Sequence, residues 1–124
     1  MKTWQQLSRP EGGGYNSLTL LASLTSVPTS STAISGTENW EKYDAIYFVI
    51  KMHFSDKDDV SSFTNLILTK NVVIGDRYSV LRQPSLGNSW EANVLCWFYD
   101  DRIEMLKKVN NYDVLSVNIY GVDF

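Results

Sequence analysis

Few residues in this sequence could carry out nucleophilic catalysis. The chain has one histidine, His53, and one cysteine, Cys96. A serine or cysteine nucleophile needs a base beside it, so a histidine-activated pair would have to use His53. Both residues fall within segments that predict strands, where packing explains a histidine near the sheet surface and a buried, inert thiol. We therefore predict structural roles for both.

Carboxylates are the next candidates, because they bind metal ions and act in pairs in glycoside hydrolysis. Asp56, Asp58 and Asp59 are spaced like an oxygen-rich calcium loop, but the segment lacks the loop glycine and the closing glutamate. We interpret these residues, and likewise Asp100 and Asp101, as solvated turns. The glutamates near predicted strand starts and hairpins are Glu38, Glu41, Glu91 and Glu104. No pair stands out among them, and no phosphate-binding glycine motif is present. We predict that the chain is not an enzyme and uses no metal or cofactor.

Aromatic residues offer a different chemistry. A tryptophan ring can fill a core, anchor an interface or stack on a sugar, and the sequence leaves these three roles open. Trp97, flanked by Leu95 and Tyr99 on one predicted strand face, is the best interface candidate. The full set of candidates for an interface or ligand surface is Trp40, Tyr47, Trp90, Leu95, Trp97 and Tyr99.

The length and charge of the chain limit the functions that these residues can have. The 124 residues predict one domain, 1–124, and the 44% of hydrophobic residues can form a core. A net charge of −3 gives no basic face, so we expect no nucleic-acid partner. A single cysteine excludes an internal disulfide.

Neither a leader nor a membrane segment is indicated. Residues 1–6 lack the apolar run of a signal peptide. No apolar stretch approaches the roughly 18 residues that cross a membrane. We expect a soluble protein that is made in a reducing cytoplasm and does not insert into a membrane.

The elements that must position these residues follow from alternation along the chain. Short apolar runs between turn residues recur at intervals of roughly 8 to 12 residues, which is typical of a sandwich or barrel. Residues 43–54 are the clearest strand, because Ile46, Phe48 and Ile50 alternate with Tyr47 and with more polar residues. The first set predicts a core face, and the second predicts a face that reaches solvent toward the end of the strand.

Residues 90–99 are the second clear strand. Cys96 shares one face with Val94 and Phe98, while Trp97 lies on the other face. Apolar residues on both faces indicate a central strand, or a face that a partner covers.

The remaining predicted strands are shorter. They are residues 17–25, 29–35, 63–69, 72–74, 77–83, 103–109 and 114–122. In the first of them, Leu18 and Leu20 share a face, with Leu24 as a third candidate. Residues 103–109 also fit helical spacing, but a hairpin from the preceding strand favours a strand.

These segments together predict an all-β fold. They amount to about eight or nine strands with hairpin-length connections, so the sheets are expected to be antiparallel. A set of this size closes as a two-sheet β-sandwich, with a jelly roll as one possible topology.

Two segments carry a resemblance to a known kind of protein. Residues 40–49 contain a Tyr-Asp-x-Ile-Tyr strand beginning at Tyr43, and residues 117–122 end in Ile-Tyr-Gly-Val. With Trp4 and a Ser/Thr-rich hairpin, this layout resembles the small β-sandwich domains of tailed-bacteriophage virion proteins. Asp44 as a cap of the preceding turn, and Gly121 as a bulge or a point of close approach by a neighbour, would be structural roles. The resemblance therefore carries over no catalytic residue.

The resemblance implies a virion component of the tail fibre, tail tip, receptor-binding or head decoration type. It implies assembly with other virion proteins and a homo-oligomer, with a trimer as one expected form. A glycan of the host surface is a further expected partner. The alternative function is a carbohydrate-binding module that uses exposed aromatic rings.

Overall fold

The structure, a computed structural model, describes residues 10–11, 14–15, 17–54, 60–83, 91–110 and 112–124. The strands within these ranges are β1 (Pro10–Glu11), β2 (Gly14–Tyr15), β3 (Ser17–Leu24), β4 (Thr32–Ala33), β5 (Ala45–Phe54), β6 (Val60–Leu68), β7 (Arg77–Gln83), β8 (Glu91–Tyr99), β9 (Arg102–Asn110) and β10 (Tyr112–Asp123). Two 3₁₀ turns, Trp40–Lys42 and Thr69–Asn71, lie in the connections. The predictions for Asp56, Asp58, Asp59 and Trp90 concern residues outside the described ranges.

The long strands form two antiparallel sheets. Sheet I has the strand order β3-β10-β5-β6 and sheet II the order β4-β9-β8-β7, so each sheet has four strands. The predicted all-β, two-sheet antiparallel sandwich is confirmed. Residues 103–109, which also fitted helical spacing, belong to β9. In the described part of the chain, no helix has the length and apolarity needed to cross a membrane.

Two predicted strands differ from the structure. Residues 29–35 contribute the short strand β4, which is exposed and pairs with β9. Residues 72–74 are not a strand: Val72 packs partly against the core, while Val73 and Ile74 are exposed in the turn that leads to β7. β-branched residues favour a strand when a neighbouring strand pairs with them. This segment lies in a turn instead, so the prediction was wrong there.

The core lies between the two sheets, and β5 and β8 supply its centre. Ile46, Phe48 and Ile50 of β5 are fully buried, as their alternation predicted. Cys96 and Phe98 of β8 meet them from sheet II, also without exposed surface. Burying large apolar side chains of this kind stabilises a fold by about 1.5–3 kcal/mol each.

A β-bulge decides which leucines of β3 face the core. The pairing of β3 with β10 shifts between Ala22 and Leu20, so Leu21 is an extra residue in β3. An extra residue reverses the alternation of faces. Leu24 therefore packs against the core, whereas Leu18 and Leu20 lie on the outer face with 48% and 54% of their surface exposed. The expectation that Leu24 joins the other two was wrong for this reason.

The two segments that carry the virion resemblance meet at one end of the sandwich. Gly121 of β10 lies against the ring of Tyr43, since a Cβ at this glycine would be 2.5 Å from the ring. Of the two roles predicted for Gly121, a bulge or a close approach, this is the close approach. The Asp44 carboxylate accepts a hydrogen bond of 2.7 Å from the backbone N–H of Phe124. The backbone N–H of Asp44 donates to the carbonyl of Val122 at 2.9 Å. The start of β5 and the end of β10 are thus held together.

Candidate functional site

The histidine and the cysteine lie in different sheets. His53 is a half-buried residue of β5 in sheet I, and its Nδ1 lies 3.4 Å from an Oδ atom of Asp113 on β10. Cys96 points from sheet II into the core, and burial raises the pKa of its thiol. A raised pKa keeps the thiol protonated and unreactive at neutral pH. The arrangement therefore does not join these two side chains as nucleophile and base.

Glu104 is a carboxylate whose contacts are local. Among the described residues, no three side chains of the His, Cys, Asp and Glu types come together as metal ligands would. The carboxylate of Glu104 accepts hydrogen bonds from Ser31 Oγ at 2.7 Å and from Arg102 Nε at 2.6 Å. These two bonds, the one from Ser31 first, lower the pKa of Glu104. Ser31 and Arg102 thus stabilise the ionised form of Glu104.

Trp40, the first of the aromatic candidates, lies in the core. Its side chain is 2% exposed and meets the ring of Phe98 edge-on, with 4.9 Å between the ring centroids. Its Nε1–H donates a hydrogen bond of 2.7 Å to the backbone carbonyl of Tyr99. The indole is therefore used within the fold and offers little surface to a sugar or a partner.

Leu95, Trp97 and Tyr99 lie on the outer face of sheet II. Leu95 is 5% exposed, while Trp97 and Tyr99 are half-buried. The Arg102 guanidinium lies over the ring of Tyr99, 4.5 Å from its centroid. Charged residues at outward positions of this sheet are Arg77, Arg82, Arg102, Glu104 and Lys108. Charged side chains thus surround the aromatic residues of this face, although interface cores are depleted of charge.

The outer face of sheet I has a different character. At one end of it, two rows of side chains cross all four strands, Leu18, Val122, Ala45 and Leu68 in the first row and Leu20, Tyr120, Tyr47 and Leu66 in the second. We call these residues the leucine–tyrosine surface; its exposed area comes from the leucines and tyrosines, because Ala45 and Val122 are fully buried. The rings of Tyr47 and Tyr120 lie 6.0 Å apart at its centre. Leu18 and Leu20 are the most exposed of its leucines.

The leucine–tyrosine surface carries no charge. The next row along the sheet is uncharged as well, and there Ser23 Oγ donates a hydrogen bond of 2.7 Å to Asn118. The first charged residue at an outward position of β5 is Lys51, one row further. Exposed apolar surface without charge is typical of a protein–protein contact.

The sequence pattern missed most of this surface. Of the predicted candidates, Tyr47 alone belongs to it. Leu18 and Leu20 were assigned a shared face, but the bulge at Leu21 determines that this face is the outer one. β10 held one sign of this surface. Tyr120 is a large aromatic residue on a predicted strand face that is otherwise polar, with Ser116 and Asn118.

A shallow groove lies beside the two 3₁₀ turns. It has a volume of about 280 Å³ and is lined by Trp40, Glu41, Thr69, Lys70, Val72 and Ile74. The hydroxyl of Thr69 already donates to the carbonyls of Tyr43 and Asp44, at 2.6 and 2.9 Å. This hydroxyl is thus committed to holding the turn, and the groove is a weaker candidate than the leucine–tyrosine surface.

Known proteins give no further indication of what these residues do. No family model, curated protein or solved structure matches the chain.

Proposed function

We propose that this chain is a non-enzymatic structural or adhesion component of a bacteriophage particle, and that it assembles with other virion proteins through the leucine–tyrosine surface. The observation that carries the proposal is the contrast between the two outer faces of the sandwich. Sheet II presents charged residues to solvent, whereas sheet I presents exposed leucines and no charge at one end. Apolar surface of this kind gains free energy when a partner removes it from water.

The assignment to a phage particle is supported by the layout resemblance of the sequence. The two segments that carry the resemblance form one unit in the fold, in which Tyr43 packs on Gly121 and Asp44 binds the backbone of Phe124. This unit borders the leucine–tyrosine surface, because Ala45 and Val122 belong to both. The proposed location is accordingly the virion.

The carbohydrate-binding alternative depends on exposed aromatic rings. The ring of Trp40 is buried, and the ring of Tyr99 is in contact with Arg102. These contacts weaken Trp40 and Tyr99 as candidates for sugar stacking.

Immunogold electron microscopy tests the proposal directly. An antibody raised against the purified protein is applied to phage particles from cultures that carry the intact gene, and to particles from cultures in which the gene is deleted. We expect gold label on the first particles and none on the second. Particles without label in both cultures would contradict the proposal.

A further inference from the structure

The outer face of sheet II carries unbalanced positive charge. Three exposed cations lie at its outward positions, Arg77 and Arg82 of β7 and Lys108 of β9. Among the residues that the structure describes, none of the three has an ion-pair partner. The net charge of the whole chain is −3, so the total charge of the sequence does not reveal this positive face.

The described acidic side chain at an outward position of this sheet is Glu104, and its charge is already balanced. Arg102 lies between two carboxylates, with its Nε 2.6 Å from Glu104 and its Nη1 2.7 Å from Asp101. Ser31 donates a further hydrogen bond to Glu104. These four residues satisfy one another, which leaves the three cations for an external anion.

Trp97 lies next to these cations with an unused indole N–H. It is half-buried and directly opposite Arg77 in the pairing of β7 with β8. Within the described ranges, its N–H has no hydrogen-bond acceptor, and this nitrogen is not closed off from solvent. The indole N–H of Trp40, in contrast, is bound to the Tyr99 carbonyl. Trp97 therefore presents both ring surface and a donor to a ligand.

Asn93 adds donors that a neighbour orients. Ser79 Oγ donates a hydrogen bond of 2.7 Å to Asn93 Oδ1. A side-chain amide whose oxygen is bound in this way directs its NH₂ group away from that partner. Asn93 lies between Arg82 and Lys108 in one row across three strands. This row thus offers N–H donors and positive charge together.

We infer that this face binds a polysaccharide that carries carboxylate groups. The inference goes beyond the proposed function, because it gives a ligand to the face opposite the leucine–tyrosine surface and does not depend on the virion assignment. Carboxylates complement a surface of cations and N–H donors, and a guanidinium binds a carboxylate through two parallel hydrogen bonds. The flat indole ring packs against the C–H groups of a sugar ring. We call the residues that would make these contacts the basic face, and they are Arg77, Arg82, Asn93, Trp97 and Lys108.

The arrangement favours a polysaccharide over other anions. Arg82 and Lys108 lie on either side of β8, about 10 Å apart, so the basic face complements a chain of several charges better than one small acid. Single-stranded nucleic acid stacks successive bases on successive rings, but the Tyr99 ring beside Trp97 is already covered by Arg102. An acidic peptide binds by adding a strand at a sheet edge or by filling a groove, whereas β8 lies in the middle of its sheet.

Fluorescence anisotropy of labelled polygalacturonate, a carboxylated polysaccharide, tests the inference on the full chain. One double variant combines Arg82→Gln with Lys108→Gln. The matched control combines Lys51→Gln with Lys70→Gln, which removes the same charge from exposed positions outside the basic face. Trp97→Ala tests the contact with the sugar ring. Labelled poly-dT and polyglutamate serve as the competing anions, and circular dichroism establishes that each variant is folded.

We expect saturable binding of polygalacturonate that weakens as salt rises, because exposed ionic contacts are screened. The Arg82/Lys108 variant and Trp97→Ala should each weaken binding about tenfold, and the control should leave it unchanged. Equal losses from the two double variants would overturn the inference, since general attraction would explain them. So would no binding of polygalacturonate, or tighter binding of poly-dT or polyglutamate. The immunogold experiment is independent of these results, so the two proposals fail separately.

Discussion

A single buried hydroxyl connects the turn before β5 to β9 of sheet II. Thr37 is fully buried, and its Oγ1 donates to the Ile34 carbonyl at 2.6 Å and accepts from the Ile103 N–H at 2.9 Å. Both backbone groups lie where water does not reach them, so the hydroxyl satisfies a donor and an acceptor at once. One residue thus holds the turn that also contains Gly36, the residue that approaches β3.

Replacement of this hydroxyl by a methyl group measures its contribution. We expect Thr37→Val to lower the free energy of unfolding by about 1–3 kcal/mol, because the shape is kept while two buried backbone groups lose their partner. Urea unfolding followed by tryptophan fluorescence gives the value. The control is Thr32→Val, since Thr32 is exposed and its hydroxyl bonds to the nearby Ser30 carbonyl. Equal effects of the two substitutions would contradict this account.

At the scale of the elements, the junction between β10 and the segment before β5 organises one end of the molecule. Tyr43 covers Gly121, and Asp44 binds the backbone of Val122 and Phe124. Thr69 in turn donates to the carbonyl of Asp44, which connects the end of β6 to the same junction. Three of the four strands of sheet I are aligned at this end by contacts outside the sheet ladder.

The junction predicts a coupled pair of substitutions. We expect Gly121→Ala to cost about 1–3 kcal/mol of unfolding free energy, because the added methyl group overlaps the Tyr43 ring. In a Tyr43→Ala background the same substitution should cost much less, since the ring is gone. A double-mutant cycle of chemical denaturation curves measures this coupling. Additive costs would show that the ring and the glycine do not interact.

For the whole molecule, the main property is the difference between its two outer faces. Sheet II presents Arg77, Arg82 and Lys108 among other charges, while the leucine–tyrosine surface of sheet I has none. Such a sandwich is expected to attach by one sheet and leave the other in solvent. In the proposed assembly, this asymmetry would determine the orientation of the molecule.

Particle labelling with two variants tests the orientation. We expect Leu66→Lys to reduce the number of immunogold-labelled particles by about tenfold, because a lysine in the contact must be buried without a partner. Arg82→Ser on the opposite face should leave labelling unchanged. Thermal unfolding of both purified variants confirms that they fold. Equal labelling with the two variants would assign attachment to another surface.

The sequence predicted the fold class and the long strands, because alternation of large apolar residues is a strong signal. Ile46, Phe48 and Ile50 are buried as expected, and β7 has the predicted bounds. The leucine–tyrosine surface was missed because of the extra residue at Leu21, which reverses the faces to which the residues on either side of it point. A bulge of this kind depends on the partner strand, so the sequence of β3 alone does not predict it. Trp40 could not be assigned because its hydrogen bond to Tyr99 joins distant parts of the chain.

The position of β10 in sheet I has a consequence for how the chain folds. β10 is the last strand along the sequence, yet it lies between β3 and β5 in the sheet. Ser23 and Asn118, which bond across two of these strands, are 95 residues apart. Closing so long a loop is slow, and among the described strands β10 is the one that pairs with β3. During synthesis, therefore, β3 waits for β10, and this interval is when exposed apolar residues such as Leu18 and Leu20 favour aggregation of the nascent chain.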